Sequence, residues 1–166
     1  MKYEIYTDGA CSKNPGPGGY SFIFVKDDKI TYTQKGYSSQ TTNNEMELLA
    51  IVKALKTLKE KCSALSLDIT VYSDSAYCLN PINLGWLKSW KEKGWRNSSN
   101  KPIANLKLWT TLYKILYPQR KSKVIINFVK IKGHSGNKYN ELADQLAKGI
   151  IKEKANAIRT TKANSK

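Results

Sequence analysis

Acidic residues are scarce in this chain of 166 residues. It holds 13 Asp and Glu against 28 Lys and Arg, so its formal net charge is +15 at pH 7. Such an excess says little about the fold, but it bears on partners, because a strongly basic surface attracts polyanions such as nucleic acids. Greater solubility is the alternative explanation of the charge.

Histidine and cysteine are also rare. The sequence has one histidine, His134, and three widely spaced cysteines, Cys11, Cys62 and Cys78, with no CxxC pair. Without a second histidine or clustered cysteines, a structural zinc site is excluded. An odd number of separated cysteines indicates free thiols in a reducing compartment.

Long apolar runs are missing as well. No run approaches the ~20 residues that span a bilayer, and no signal-peptide core follows the N-terminus. We therefore expect no membrane segment and a cytoplasmic location. Apolar residues make up 40% and aromatic residues 10%, which excludes a disordered or collagen-like chain and fits one domain with one core.

Hydrophobic periodicity and turn residues divide the chain into alternating elements. The segments with β-type patterns are residues 2–7, 20–25, 30–38, 67–72 and 124–131. The main segments with helical patterns are residues 42–61, 103–117 and 139–152. This order predicts one α/β domain with a mixed sheet over residues 1–152, followed by a basic, flexible C-terminal tail at 153–166.

Residues 84–101 combine positive charge with large aromatic rings. They contain five basic residues, one acidic residue and three of the four tryptophans. Cations that neutralise phosphates beside rings that pack on sugars and bases suit a nucleic acid. Alternatively, Trp86 and Trp90, four residues apart, are core contacts of a helix.

Glu47 lies on the apolar stripe of the first predicted helix. At about 100° per residue it is ~40° from Ile51 around the helix axis. An unpaired buried carboxylate costs several kcal/mol, so Glu47 needs a metal or a basic partner, unless it reaches water from the edge of the stripe.

Asp8 and Asp74 lie at predicted strand ends, and Asp144 lies among apolar residues of the last helix. Each has a simpler explanation as a cap or turn residue, but together they predict a Mg²⁺ site for phosphodiester hydrolysis with two metal ions.

Six motifs occur in the order and at the spacing of one known family. They are Thr7-Asp8-Gly9-Ala10-Cys11, Asn14-Pro15-Gly16-Pro17-Gly18-Gly19-Tyr20, Thr41-Thr42-Asn43-Asn44-Glu45-Met46-Glu47-Leu48, Ser73-Asp74-Ser75, Lys132-Gly133-His134-Ser135-Gly136 and Asn140-Glu141-Leu142-Ala143-Asp144. With the tryptophan-rich segment between the third and fourth carboxylates, the chain resembles type 1 ribonuclease H of the bacterial kind over residues 2–150.

The resemblance implies an RNase H-like fold, a five-stranded mixed β-sheet flanked by α-helices. It implies endonucleolytic cleavage of the RNA strand of an RNA/DNA hybrid, leaving 5′-phosphate and 3′-hydroxyl ends. Asp8, Glu47, Asp74 and Asp144 would hold two Mg²⁺ ions, for which Mn²⁺ often substitutes. His134 matches a mobile loop histidine that takes part in proton exchange or product release.

The same resemblance implies a set of substrate-binding residues. Those expected to read 2′-hydroxyls and base edges in the minor groove are Cys11, Asn14, Asn43 and Asn44. Those expected to grip a phosphate of the DNA strand are Thr42 and Asn105. Those expected in the deoxyribose channel and the basic protrusion are Trp86, Trp90, Trp95, Lys88, Lys91, Lys93 and Arg96. Nothing in the motifs requires more than a monomer.

Three positions depart from the bacterial pattern. Gln40 replaces a frequent arginine beside the phosphate pocket, Ala76 replaces a frequent glutamine, and Lys13 replaces a small residue. Two other functional classes stay open at this point: a catalytically silent hybrid-binding module, and a related resolvase- or transposase-like enzyme that acts on DNA. A domain cut from a reverse transcriptase would match the motifs too.

Overall fold

A computed structural model describes residues 1–62, 66–119 and 123–164. Its strands are β1 (Lys2–Cys11), β2 (Gly16–Lys26), β3 (Lys29–Thr41), β4 (Ser66–Ser73) and β5 (Lys123–Lys130). Its helices are α1 (Asn43–Lys61), α2 (Ala76–Asn83), α3 (Trp86–Glu92), α4 (Leu106–Leu116) and α5 (Lys138–Asn164).

The strands form one five-stranded sheet in the order β3-β2-β1-β4-β5. β1, β2 and β3 pair antiparallel, whereas β4 pairs parallel with both β1 and β5. The predicted mixed sheet flanked by helices is therefore confirmed.

Apolar side chains of successive strand residues pack on opposite sides of the sheet. Ile5 belongs to the large core that includes the buried face of α1, while the neighbouring Tyr6 packs with Tyr139 and Ala143 of α5. The alternation follows from the two-residue period of a strand. It places α1 and α5 on the two faces of the sheet, with the central strands between them.

Several element boundaries differ from the sequence-based predictions. β2 begins at Gly16 instead of residue 20, and β3 ends at Thr41 instead of residue 38. β1 continues to Cys11, which pairs with Gly18, so Asp8 lies inside the strand and not at its end. α4 begins at Leu106 instead of residue 103, because Ile103 is buried before the helix, with its N–H donating to the Trp95 carbonyl.

The last helix is the largest difference. The sequence predicts an end near residue 152 and a flexible tail beyond it, but α5 remains helical to Asn164. Polar and charged residues dominate the added turns, which hides them from a search for an apolar stripe. No helix among the described residues has the length and apolar character needed to cross a bilayer.

Candidate active site

Three carboxylates from different elements meet at one edge of the sheet. Asp8 is in β1, Glu47 is in the first turns of α1, and Asp74 follows β4 directly. One oxygen of each lies within 4.8 Å of the others. The parallel pairing of β1 with β4 brings Asp8 and Asp74 to the same end of the sheet, and the structure thus gathers three of the four predicted ligands.

Gly9 allows α1 to approach β1 this closely. A Cβ atom at position 9 would lie 2.3 Å from the backbone nitrogen of Glu47. Thr42 fixes the start of the helix, because its side chain accepts a hydrogen bond from the Glu45 N–H at 3.2 Å. The missing side chain and the cap together set Glu47 against Asp8.

The cluster is short of positive charge. Asp8 is only 5% exposed, and burial, followed by the charges of Asp74 and Asp144, raises its pKa from 3.8 to about 7. Burial and the charge of Asp8 raise the pKa of Glu47 well above its ordinary value. Glu47 Oε2 is buried and has no hydrogen-bond partner among the described residues.

These facts fit a divalent cation. A buried oxygen that accepts no hydrogen bond lowers the stability of the folded protein. The raised pKa values of Asp8 and Glu47 mean that these closely spaced carboxylates repel each other when they are ionised. A group of oxygen ligands alone suits a hard cation such as Mg²⁺. The cluster therefore has the donor set and the charge deficit of a metal site.

Asp144 lies beside this cluster, in contact with both Asp8 and a lysine of its own helix. Ser21 Oγ donates to the Ala143 carbonyl at 2.6 Å, which fixes α5 against β2 next to β1. The charge of Asp144 and a side-chain hydrogen bond contribute to the raised pKa of Asp8. Its carboxylate also forms an ion pair with Lys148 Nζ at 2.8 Å, and it is not one of the three mutually close groups.

His134 lies in the exposed loop that follows β5. Its φ of 54° is left-handed, and the adjacent Ser135 Oγ donates to the Lys132 carbonyl at 2.6 Å. A Cβ atom at Gly133 would lie 2.7 Å from Asp74 Oδ2. The histidine loop is therefore packed against the carboxylate cluster.

The predicted minor-groove residues form one group, in which the three asparagines are exposed and Cys11 is half-buried. The backbone N–H of Asn43 donates to Asn14 Oδ1 at 3.2 Å, which joins the β1–β2 loop to the start of α1. Asn44 is exposed beside them, and the Cys11 thiol lies 3.5 Å from the Gly16 carbonyl oxygen. This group borders the carboxylates through β1 and α1.

The two predicted phosphate-pocket residues have separate partners. Thr42 caps α1, whereas Asn105 donates from Nδ2 to the hydroxyl of Tyr77 at 2.9 Å. The same hydroxyl accepts from Trp109 Nε1 at 3.1 Å. In the part of the chain that the structure describes, no hydrogen bond joins Thr42 to Asn105.

The tryptophans of residues 84–101 divide between core and surface. Trp90 packs edge-on against the buried Trp109, with ring centroids 5.4 Å apart, and Trp95 packs similarly on Tyr113 at 5.6 Å. Trp86 is 47% exposed. The core interpretation therefore holds for Trp90, while Trp86 is free to contact a ligand.

The basic residues of this segment are all exposed. The ammonium of Lys88 lies over the Tyr117 ring, 5.0 Å from its centroid, and Arg96 Nη1 donates to the Asn100 carbonyl at 2.8 Å. The remaining basic residues of the segment, also exposed, are Lys91, Lys93 and Lys101. They form a positive protrusion on α3 and the segment that follows it.

Sequence reasoning did not predict the contacts of four residues that shape this region. Gly9 and Gly133 permit the close contacts at Glu47 and Asp74, Lys148 neutralises Asp144, and Tyr77 links Asn105 to the core. The four-residue spacing of Asp144 and Lys148 on a helix was a usable signal for their ion pair.

Comparison with known proteins agrees with this geometry. The family model described as RNase H matches residues 1–152. The chain is 44% identical over 154 residues to a ribonuclease H of Chlorobaculum parvum, covering 91% of this chain and 96% of that protein. It is 44% identical over 149 residues to a ribonuclease H of Caldicellulosiruptor saccharolyticus, covering 90% and 95%.

Solved structures share the fold at lower identity. The crystal structure of LC9-RNase H1, a type 1 RNase H with the type 2 active-site motif, has a TM-score of 0.70 at 24% identity and covers 92% of this chain and 72% of its own. LC11-RNase H1 in complex with an RNA/DNA hybrid has a TM-score of 0.66 at 21% identity, covering 92% and 99%. From the family match and the 44% identity to curated relatives, the chain belongs to the ribonuclease H family of enzymes.

Proposed function

We propose that this protein is an endoribonuclease that hydrolyses the RNA strand of RNA/DNA hybrids and leaves 5′-phosphate and 3′-hydroxyl ends. In this proposal Asp8, Glu47, Asp74 and Asp144 hold two Mg²⁺ ions, with Mn²⁺ able to replace them. When bound, the ions supply charge neutralisation and Lewis acidity for phosphodiester hydrolysis.

The observation that carries the proposal is the buried, unpartnered Oε2 of Glu47 in a carboxylate that has an oxygen within 4.8 Å of an oxygen of Asp8 and of Asp74. A protein that only binds nucleic acid has no need for this arrangement, since it lowers stability without contacting a ligand. Asp144, held by Lys148, is the fourth carboxylate and lies next to Asp8. Its carboxylate would leave the ammonium of Lys148 to help hold a metal ion.

His134 serves as the proton carrier in this mechanism. It is exposed, sits in a loop with glycines on either side, and is packed near Asp74 through Gly133. Because an imidazole ring nitrogen can either accept or donate a proton, we assign to His134 the acceptance and return of a proton at a ring nitrogen during turnover.

Recognition of the hybrid is assigned to three groups of exposed or half-buried residues. Cys11, Asn14, Asn43 and Asn44 contact 2′-hydroxyls and base edges, because a 2′-hydroxyl distinguishes RNA from DNA. Thr42 and Asn105 contact a phosphate of the DNA strand. The basic protrusion, with Trp86 exposed at its base, contacts the DNA backbone. The hybrid bound by the LC11-RNase H1 structure supports this choice of substrate.

The test uses labelled RNA/DNA hybrid, RNA duplex and DNA duplex, each with Mg²⁺ and with EDTA. We expect cleavage of the RNA strand of the hybrid alone, with ends that carry 5′-phosphate and 3′-hydroxyl. Asp8→Asn abolishes cleavage, whereas Asp68→Asn, the same change at an exposed position at the opposite end of the sheet, does not. Hybrid binding without cleavage under any divalent ion, or cleavage of DNA, overturns the proposal.

A further inference from the structure

Helix α5 extends well past the sheet that it packs on. Its last ion pair with the sheet joins Glu153 to Lys35 of β3 at 2.6 Å. Every side chain from residue 154 to 163 is exposed. At 1.5 Å per residue, these ten residues project about 15 Å beyond that contact. The projection lies outside residues 1–152, which the family model matches.

Four basic residues occupy one side of α5, in line with Asp144. Lys162 follows Asp144 by 18 residues, which is five full helical turns at about 100° per residue. Lys148, Lys152 and Arg159 lie within about 80° of the same line. We name Lys148, Lys152, Arg159 and Lys162 the α5 stripe. The buried Ala143 and Ala147 lie on a different side of the helix, against the sheet.

The outer members of the α5 stripe carry unneutralised charge. Lys148 pairs with Asp144, but among the described ranges no carboxylate lies within 4.0 Å of the charged groups of Lys152, Arg159 or Lys162. The nearby Glu153 is on another side of the helix and pairs with Lys35. The stripe therefore starts with the paired Lys148 beside the carboxylate cluster and continues with three cations that have no such partner in the described part of the chain.

We infer that the α5 stripe binds the sugar-phosphate backbone of the nucleic acid on which the site acts, at phosphates remote from the cleaved bond. This inference rests on the proposed function. Arg159 and Lys162 lie about 22 Å and 27 Å along the helix from Asp144. At 3.4 Å per base pair, these distances correspond to contacts roughly six to eight base pairs from the reacting phosphate.

Charge complementarity selects the backbone as the occupant. A row of cations continuous with a site for phosphodiester chemistry matches the regular negative charge of one strand, and each neutralised phosphate releases counterions. A membrane surface fits poorly, because the projecting turns expose one large apolar residue, Ile158, and a helix that lies in a membrane needs an apolar face.

The experiment compares hybrids of 8 and 24 base pairs in an Asp8→Asn background with Mg²⁺, so that the RNA stays intact. The test variant is Arg159→Ala/Lys162→Ala, in which alanine preserves the helix. The matched control is Lys2→Ala/Lys29→Ala, which removes two exposed lysines from strand starts at the end of the sheet away from Asp74. Dissociation constants are measured by fluorescence anisotropy at several salt concentrations.

For the 24-base-pair hybrid, we expect the test variant to bind at least about fivefold more weakly. Its slope of log affinity against log salt becomes shallower by up to about 1.8, or 0.9 per lost phosphate contact. The 8-base-pair hybrid reaches both residues only when one of its ends lies at the reacting phosphate, so its binding to the test variant stays within about twofold of its binding to the parent. The control leaves the binding of both hybrids unchanged.

Equal losses for both lengths, equal losses in the control, or no loss at all overturn the inference. Unchanged hybrid binding together with impaired binding of an acidic protein would assign the stripe to a protein partner instead. If the parent binds neither hybrid, the proposed function fails and this inference falls with it. That result is distinct from a parent that binds and a variant that binds equally well.

Discussion

Gly133 lies directly against the carboxylate of Asp74. A Cβ atom added at position 133 would be 2.7 Å from Asp74 Oδ2, with the Asp74 Cγ next at 3.6 Å. The atom in conflict is the far end of a side chain that can rotate, so an added methyl group displaces the carboxylate and not the backbone. The histidine loop thus sets the position of one proposed metal ligand.

We expect Gly133→Ala to weaken metal binding without lowering the stability of the fold. We expect the half-saturating Mg²⁺ concentration to rise about tenfold, because Asp74 must turn away from Asp8 and Glu47. The free energy of unfolding in EDTA changes by less than about 1 kcal/mol, as for substitutions that leave the backbone undisturbed. Mg²⁺ titration by calorimetry and urea unfolding measure the two effects. A large loss of stability with unchanged Mg²⁺ binding would contradict this account.

Gly9→Ala, in contrast, should lower the stability of the fold. Here the added atom meets the backbone of Met46 and Glu47 at 2.3–2.9 Å, so α1 must move away from β1. We expect a loss of at least about 2 kcal/mol in the free energy of unfolding, measured in urea with EDTA present. Gly149→Ala is the control: nothing lies within 4 Å of its Cβ in α5, and alanine stabilises a helix by about 0.5–1 kcal/mol.

The metal-free protein loses stability as the pH rises. Asp8 has a pKa near 7 in the folded chain and 3.8 ordinarily, so the folded state binds the extra proton between these values. The stabilisation is complete below about pH 4 and lost by about pH 7, with an upper bound of about 4 kcal/mol. Unfolding in EDTA across this range should show the decline. Asp8→Asn makes the decline shallower, because Glu47, whose pKa is also raised, still contributes to it. Asp68→Asn leaves the decline unchanged, and Mg²⁺ restores stability near pH 7.

Trp86 and Trp90 should respond differently to replacement by alanine. Trp86→Ala removes a half-exposed ring, so we expect weaker hybrid binding by about 1–3 kcal/mol and unchanged stability. Trp90→Ala removes a ring packed on Trp109 and lowers the free energy of unfolding by about 3 kcal/mol. Anisotropy with the inactive background and urea unfolding distinguish the two. Equal destabilisation by both changes would refute this division of roles.

His134→Asn tests the proton carrier without disturbing its backbone. Asparagine tolerates the left-handed φ of 54° at this position, but it cannot exchange a proton near neutral pH. We expect kcat to fall about 10²-fold with KM and Mg²⁺ affinity unchanged. The control Ser135→Ala, beside it in the same exposed loop, should stay within a few-fold of the parent. A matching loss in both variants would indicate a role for the loop instead of the imidazole.

Much of the sheet and the carboxylate cluster follows from the sequence. Period-two strands and the position of Glu47 on an apolar stripe are local patterns, and they predict the mixed sheet and an acidic site correctly. The extension of β1 beyond Asp8 was missed because glycine and proline dominate the following residues, while the pairing that continues the strand comes from β2. The outer turns of α5 were missed because they bury no apolar side chains and so carry no apolar stripe.

Other features depend on tertiary contacts that no local pattern reports. The separation of Trp90 from Trp86 is decided by Trp109, which lies in α4. The bond between Asn14 and Asn43 joins residues 29 apart in sequence. The close contacts of Gly9 and Gly133 are likewise set by the packing of elements that are distant in sequence. The motifs therefore contain these glycines but do not show why glycine is needed there.

The unpartnered oxygen of Glu47 means that a change which stabilises the metal-free protein can also remove its activity. When a chelator removes metal ions, replacing a carboxylate of the cluster by its amide removes the repulsion between the carboxylates and the cost of burying a charge. Directed evolution for heat resistance under those conditions would therefore enrich inactive proteins. The same selection in Mg²⁺ would retain the acids. The ionic composition of the buffer thus decides whether stability engineering preserves this enzyme or erases its chemistry.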